Sequence, residues 1–363
     1  MITLQCPYFI QKYAAIKLVG SGSFGSVYEA QDIETKKTYA MKIIEKRHLV
    51  HRGDIPHLQH EIDSLAFLKS EYIVSLHDFF SNQQYFFLIM DWCPGQSLES
   101  YIQRNGPLRE TTAATVFQQI VLAVDFCHSH GVAHRDIKPQ NILITKFPNI
   151  KLSDFGLCGY VVPDTLMKTV CGTPSYTAPE IIKNQEYDGC MADIWSLGVL
   201  LYELVTGIHP WSSNNLPQMH RQITNAQYTI PGTVSPACCD LINSLLRPRP
   251  LSRPTTSQIL KFPWLKLGKT NHSISSMKHN QSNLPSLTPD NMAEFSVLME
   301  RNAFKKDCGI VSPFQKIAST TALISHKPTK ICVKAESVLK SAPFRSFSKP
   351  RKTIQPRSIG SFH

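Results

Sequence analysis

Residues 134–156 read HRDIKPQNILITKFPNIKLSDFG and collect side chains suited to moving a phosphoryl group. Asp136 is followed by Lys138 and Asn141. A second carboxylate, Asp154, comes after ILI and IKL, two apolar runs too short for helices and bounded by Pro and Asn. Such runs predict a β-hairpin, which would return Asp154 to the end where Asp136 and Asn141 sit. One carboxylate can then steer a hydroxyl, while the other, with the amide oxygen of Asn141, holds Mg²⁺, a hard cation that prefers oxygen ligands.

Other elements must bring a phosphate to that place. IKLVGSGSFGSVYEAQ (16–31) alternates apolar and polar residues on both sides of a glycine-rich turn, the pattern of a hairpin. Gly20, Gly22 and Gly25, with Ser21 and Ser23 between them, lack the Cβ atoms that would keep backbone N–H groups away from a phosphate. A dinucleotide fold would run from such a turn into a helix, whereas SVYEA favours a second strand. YAMKIIEK (39–46) is a third strand, and Lys42 within it needs an anion or a carboxylate partner if it is buried. The bland alternative is a surface lysine on an edge strand. DIPHLQHEIDSLAFLKS (54–70) places Leu58, Ile62, Leu65 and Phe67/Leu68 at helical spacing, with Asp54 as N-cap and Pro56 in the first turn. Glu61 lies next to that apolar stripe, and Asp63 points elsewhere around the helix.

HRDIKPQN followed by DFG is similar to the catalytic and metal-binding loops of the eukaryotic protein kinases. The resemblance runs over about residues 13–265 in the family's motif order. It implies an α+β, bilobal protein kinase fold, with a small β-rich N-lobe (about 13–91) carrying one main helix and a larger, mostly helical C-lobe (about 97–265). It also implies ATP and Mg²⁺ as cofactors and protein substrates with serine or threonine acceptors. On the matching positions, Gly20, Ser21, Gly22, Ser23 and Gly25 form a phosphate lid, and Val27, Ala40 and Leu143 are nucleotide-binding. Lys42 meets the α/β-phosphates and Glu61. Met90 limits the back of the adenine pocket, and the backbone of Asp91 and Cys93 bonds the base. Asp136 accepts the hydroxyl proton, Lys138 steadies the phosphoryl charge, and Thr173 bonds both. Asn141 and Asp154 hold the metal.

Further positions follow from the same resemblance. Lys138 with GTPSYTAPE downstream matches the serine/threonine type, and ADIWSLGVLLYELVTGIHPW is most like the calcium/calmodulin-dependent and SNF1/AMP-activated-related group. Thr169 matches a position phosphorylated by an upstream kinase, with Arg135 and His57 as phosphate partners. Glu180 and Arg253 match a buried ion pair. Asp193, in an otherwise apolar helix, matches a carboxylate that satisfies backbone N–H groups of the HRD loop. His128 and His130, at the end of ETTAATVFQQIVLAVDFCHSHG, read as caps. Gln140 and Ser97 stand where basic-directed kinases often have acids, which leaves Glu203 and predicts a weak pull on substrate arginines. The alternative, an ATP-binding pseudokinase scaffold acting through a basic tail, would be marked by loss of Lys42, Asp136, Asn141 or Asp154. All four are present.

Composition separates this body from the rest. Residues 1–265 hold 22 Lys+Arg against 22 Asp+Glu, and residues 266–363 hold 16 against 5, so the whole net charge of +11 lies in the second part. That Ser/Pro-rich tail reads as largely disordered, with a short amphipathic helix at 290–304 and an affinity for acidic lipid or another polyanion as its sharper reading. Ten cysteines without CxxC spacing argue for a reducing, cytoplasmic setting and against a zinc site. The start shows no charged leader, and no apolar run approaches the ~20 residues that cross a bilayer.

Overall fold

The computed structural model describes residues 8–21, 25–49, 54–161, 165–212 and 215–268, with the backbone alone for residues 54–57 and His60. The expectations for Gly22, Ser23, the His57 side chain and the tail beyond residue 268, including a helix at 290–304, fall outside this set.

Period-two alternation builds an antiparallel six-stranded sheet from β1 (Tyr8–Ile10), β2 (Tyr13–Ser21), β3 (Gly25–Asp32), β4 (Thr38–Glu45), β5 (Leu76–Ser81) and β6 (Tyr85–Asp91). The strand order is β1-β2-β3-β4-β6-β5. Ser26, Tyr28, Ala30 and Asp32 of β3 are buried on one face, where Tyr28 joins a small core with Tyr13, Met41, Ile43 and Phe87. Val27 belongs to the opposite face. The register pairs Val27 with Lys42 and Ala40 with Met90, and directly paired residues share a face. Pleating alone therefore brings four of the expected nucleotide residues together. Gly25 has a separate reason to be glycine, since a Cβ there would lie 2.1 Å from the Ile43 carbonyl oxygen.

IVSLHDFF enters the sheet only at Leu76. The residues before it pair with a different strand: Val74 N donates to Leu152 O (2.9 Å) and Leu152 N to Tyr72 O (2.7 Å). The helix α1 (Asp54–Phe67) packs Leu58, Ile62 and Leu65 against Ile44, Phe79 and Leu88. The described part of α1 begins at Asp54, and the expectation that Asp54 caps it rests on residues outside the described set. Pro56 still falls in the first turn, where a missing N–H is harmless.

Beyond β6 the chain is mainly helical. Ser97 caps α2 (Leu98–Asn105), accepting from Ser100 N at 3.2 Å. α3 (Glu110–Ser129) buries most of its circumference and leads into β7 (Val132–Ala133). The expected hairpin forms from β8 (Ile142–Lys146) and β9 (Asn149–Leu152), and β10 (Gly159–Tyr160) pairs with β7. α4 (Pro179–Ile182), α5 (Gly189–Thr206), α6 (Leu216–Thr224), α7 (Pro236–Leu245) and α8 (Thr256–Ile259) complete the described body. The 18 residues of α5 have the length and hydropathy of a membrane span, but 72% of the segment is buried inside the protein as its central helix. One continuous core runs from Ile44 and α1 through α3 and α5 to Trp264.

Asp63 on α1 carries a measurable cost. Burial pushes its carboxyl up from 3.8 to about 6, against the hydrogen bond donated by Gln59 Nε2 at 2.6 Å. A carboxyl with a raised folded pKa disfavours folding once it ionises, so stability should fall as pH rises from about 4 to about 6 and stay lowered above that. Asp63→Asn removes the charge and keeps an acceptor for Gln59. At pH 7.5 the variant should be more stable by about 1–2 kcal/mol, the pKa shift being discounted for partial exposure. Near pH 4 the gain should vanish. Urea unfolding at the two pH values decides; equal stability at pH 7.5 rejects the buried charge.

Candidate active site

The loop after β7 is anchored from below by α5. Asp193, buried within that helix, accepts from His134 N (2.8 Å, Oδ2) and Arg135 N (2.7 Å, Oδ1). These bonds stabilise a turn in which Arg135 takes φ +65°, a left-handed conformation costly for a side chain with a Cβ. His128 is not a cap. The end of α3 lies beside α5, and His128 Nε2 sits 2.9 Å from Asp193 Oδ2 as a third partner of the buried carboxylate. His130 does cap, with Nδ1 2.7 Å from the Phe126 carbonyl oxygen. His134 is buried, with Nε2 3.0 Å from Ser153 O and its ring edge-on to Phe155.

Asp136 is held on every side. Asn141 Nδ2 donates to its backbone carbonyl (2.8 Å) and to Oδ2 (3.0 Å), and Lys138 Nζ lies 2.6 Å from Oδ2. Thr173 Oγ1 donates to Oδ1 at 3.0 Å and accepts from Lys138 Nζ at 2.8 Å. Thr173 arrives from a distant loop because Gly172 can take φ +98°; a Cβ there would meet the Arg135 carbonyl at 2.8 Å.

The hairpin places Asn141 beside Asp154. Ser153 donates from both N (2.9 Å) and Oγ (3.0 Å) to Asn141 O, and Asp154 follows at φ +64°. With Nδ2 engaged on Asp136, the Asn141 side chain has its oxygen left as a ligand. Asp154 is exposed, and its Oδ1 accepts from Gly156 N at 3.4 Å. Among the described residues no cluster of three or more His, Cys, Asp or Glu could hold a metal alone. One carboxylate and one amide oxygen therefore fit Mg²⁺, which completes its octahedron with water and phosphate, and do not fit an all-protein cage.

On the sheet, Lys42 Nζ contacts both oxygens of Glu61, at 2.5 and 2.7 Å. Burial pulls the ammonium pKa down, but Glu61 and then Asp154 outweigh it and hold Lys42 above its ordinary value. Lys42 thus lies within the field of Asp154. Gly20, at the end of β2, stands opposite Val27, and Ser21 opposite Ser26. Leu143 of β8 is half-buried and bridged to Ser97. Met90 and Asp91 end β6. The Asp91 side chain is fully engaged, by Ser75 N, His77 and Lys151. Cys93 is buried, which pushes its thiol up to about 11.

Arg135 spreads its guanidinium over the segment that follows, donating to Leu157 O (2.7 Å), Cys158 O (3.4 Å) and Tyr187 Oη (3.3 Å). Tyr187 Oη in turn donates to the carbonyl of exposed Thr169 at 2.8 Å. Farther along, Arg253 grips Glu180 through two parallel bonds of 2.7 Å.

Three contacts escape motif reading. Ser64 Oγ and Cys158 Sγ are 3.0 Å apart, tying α1 to the segment after Phe155. Gln140 Nε2 donates to Glu99 Oε1 at 2.5 Å, and Tyr176 Oη donates to the Glu203 carboxylate. The Tyr176 hydroxyl is held far above its ordinary pKa by burial, then by Glu203, Glu99 and Asp136. Glu99 therefore brings to the flank of Asp136 a carboxylate that the sequence at positions 97 and 140 lacks.

The family model described as protein kinase domain matches residues 13–265. The chain is 36% identical over 271 residues to CBL-interacting protein kinase 32 of Oryza sativa subsp. japonica, a match covering 74% of this chain and 62% of that protein. It is 37% identical over 260 residues to CBL-interacting serine/threonine-protein kinase 15 of Arabidopsis thaliana, covering 71% and 62%. With CBL-interacting serine/threonine-protein kinase 20 of Arabidopsis thaliana the identity is 36% over 300 residues, covering 81% and 68%. The chain spans about six-tenths of the length of most of the curated relatives it matches.

Proposed function

Because the chain belongs to the protein kinase family, we propose that it transfers the γ-phosphoryl group of Mg·ATP to serine or threonine hydroxyls of protein substrates. The observation that carries this reading is that Asp136, Lys138, Asn141 and Thr173 form one connected network while Lys42 and Glu61 are already paired. A pseudokinase scaffold has no need of both at once.

In the proposed mechanism Asp136 orients the acceptor hydroxyl and takes its proton as the hydroxyl oxygen bonds to the γ-phosphorus, while the bond from that phosphorus to the β,γ-bridging oxygen breaks and its electron pair leaves with ADP. Thr173 and Asn141 keep that carboxylate from rotating. Lys138 steadies charge on the transferring group, and Lys42, fixed by Glu61, aligns the phosphates. Mg²⁺, held by Asn141 and Asp154, supplies neutralisation of the phosphate charge when bound. Glu99 and Glu203 offer two carboxylates to basic residues of a substrate, so a preference for Arg or Lys near the acceptor belongs to this reading despite Gln140 and Ser97. Phosphorylation of Thr169 by an upstream kinase would add charge beside Tyr187, within reach of the Arg135 contacts, and order the segment.

The test is phosphorylation of a degenerate peptide library by the full chain with labelled Mg·ATP, alongside Asp154→Ala. Label on Ser/Thr peptides enriched in Arg or Lys, lost with Asp154→Ala, is the expected result. Equal label from both proteins sinks the reading, and no label from either favours the scaffold.

A further inference from the structure

Lys151 belongs to none of the chemical motifs, yet it joins three elements. It lies on β9, three residues before Asp154, and its Nζ is 3.0 Å from Asp91 Oδ2 while donating to the Ile73 carbonyl at 3.1 Å. Asp91 ends β6, where the chain leaves the sheet. Its carboxylate also accepts from Ser75 N (3.0 Å, Oδ2) and meets His77 Nε2 (2.7 Å, Oδ1), and its own N–H donates to Ser75 O at 3.1 Å. Backbone bonds between Tyr72, Val74 and Leu152 complete the joint. The two charged side chains are only 18% and 21% exposed, so solvent screens the pair less than it would at an open surface. Burial opposes the Asp91 charge, but His77, Lys151 and Ser75 N–H outweigh it and hold the carboxyl well below its usual range, ionised at neutral pH.

We propose that Lys151 is a positioning residue for the nucleotide, fastening the Asp91 end of β6 to the hairpin that carries Asp154 so that adenine and phosphates are gripped by one rigid frame. The inference rests on the kinase reading for the identity of those two grips. A ligand that touches both must bear the ordering cost of any freedom between them, and a preformed tie removes that cost. A ligand that touches one grip alone does not feel the tie.

The experiment is titration of the full chain with Mg·ADP and, separately, with adenosine, for the wild type, Lys151→Met and Lys151→Arg. Lys151→Met should weaken Mg·ADP about fivefold, the worth of one partly screened ion pair, and leave adenosine within about twofold. Lys151→Arg, which keeps the charge, should restore Mg·ADP to within about twofold. If Lys151→Met does not fold, Lys151→Gln takes its place with the same expected loss. Undiminished Mg·ADP binding, equal loss for both ligands, or an arginine variant as weak as the methionine one overturns the proposal. A wild type that binds Mg·ADP yet transfers no phosphate would fail the kinase reading alone, because these titrations do not depend on turnover.

Discussion

Asp136→Asn is expected to lower kcat about 10³-fold while leaving the KM for Mg·ATP within about twofold. The substitution preserves shape and removes the basic oxygen. Asp136 Oδ2 now meets two donors, Lys138 Nζ at 2.6 Å and Asn141 Nδ2 at 3.0 Å, while Oδ1 accepts from Thr173. An amide has one oxygen for these three donors, so its nitrogen must face at least one of them. Both the proton acceptor and its orientation are lost together. Nucleotide affinity should survive, since Lys42, Asn141 and Asp154 are untouched. Steady-state kinetics at saturating peptide, with thermal unfolding as the check on folding, decides the matter. Turnover within tenfold of wild type would mean that another group accepts the proton.

The second large effect is on stability. Arg253 is fully buried and makes two bonds to Glu180, with further donations to Arg247 O, Met191 O and Pro248 O, and its guanidinium lies 5.1 Å from the centroid of the Trp195 ring. Arg253→Met strands the Glu180 carboxylate in a buried site and leaves those carbonyls without their donor. Breaking one partner of a buried pair costs about 3–5 kcal/mol, and for a domain of this size the midpoint of thermal unfolding should fall by roughly 10 °C. The diagnostic comparison is the double variant Glu180→Gln with Arg253→Met. Removing the stranded charge should recover part of the loss, so the double variant should melt above the single one. A double variant that melts lower would show that Glu180 contributes through packing rather than charge.

The loop that carries Thr173 depends on the same anchor. α4, which begins at Pro179, contains Glu180, and the loop from Thr169 to Thr173 reaches it through a short 3-10 turn at Pro174–Tyr176. Loss of Arg253 should therefore loosen Thr173 and, through it, Asp136. Stability and turnover are coupled here by chain connectivity.

Much of the site is readable from the residues because its geometry is short-range. HRDIKPQN and DFG are joined by one tight hairpin, so their spacing alone returns Asn141 and Asp154 to one end. Val27, Ala40, Lys42 and Met90 share a face because strands alternate with period two, and Glu61 falls beside the helical stripe of α1, its pairing with Lys42 being what the family resemblance implies. Within one element, spacing determines direction. Spacing fixes the start of an element less sharply, and β5 accordingly begins at Leu76 rather than at Ile73.

Between elements, spacing says nothing, and tertiary packing decides. Glu99 reaches Gln140 across 41 positions of chain, His128 reaches Asp193 across 65, and Ser64 reaches Cys158 across 94. Glu99, His128 and Ser64 each look like an ordinary solvated or capping group until the partner arrives. Lys151 and Asp91 make the point most sharply: one is an unremarkable residue of a short strand, the other a strand end whose backbone alone seemed to matter. The amino-acid sequence by itself determined which residues stand together at the candidate site, because the hairpin spacing returns Asn141 and Asp154 to one end and period two puts Lys42 on the Val27 face, while the roles of Asp136 and Lys42 are what the resemblance to protein kinases implies. Only the folded structure decided that Glu99 meets Gln140 and that the β8–β9 hairpin is tied to the end of β6 through Lys151 and Asp91, because those contacts depend on the mutual docking of helices and strands remote in sequence.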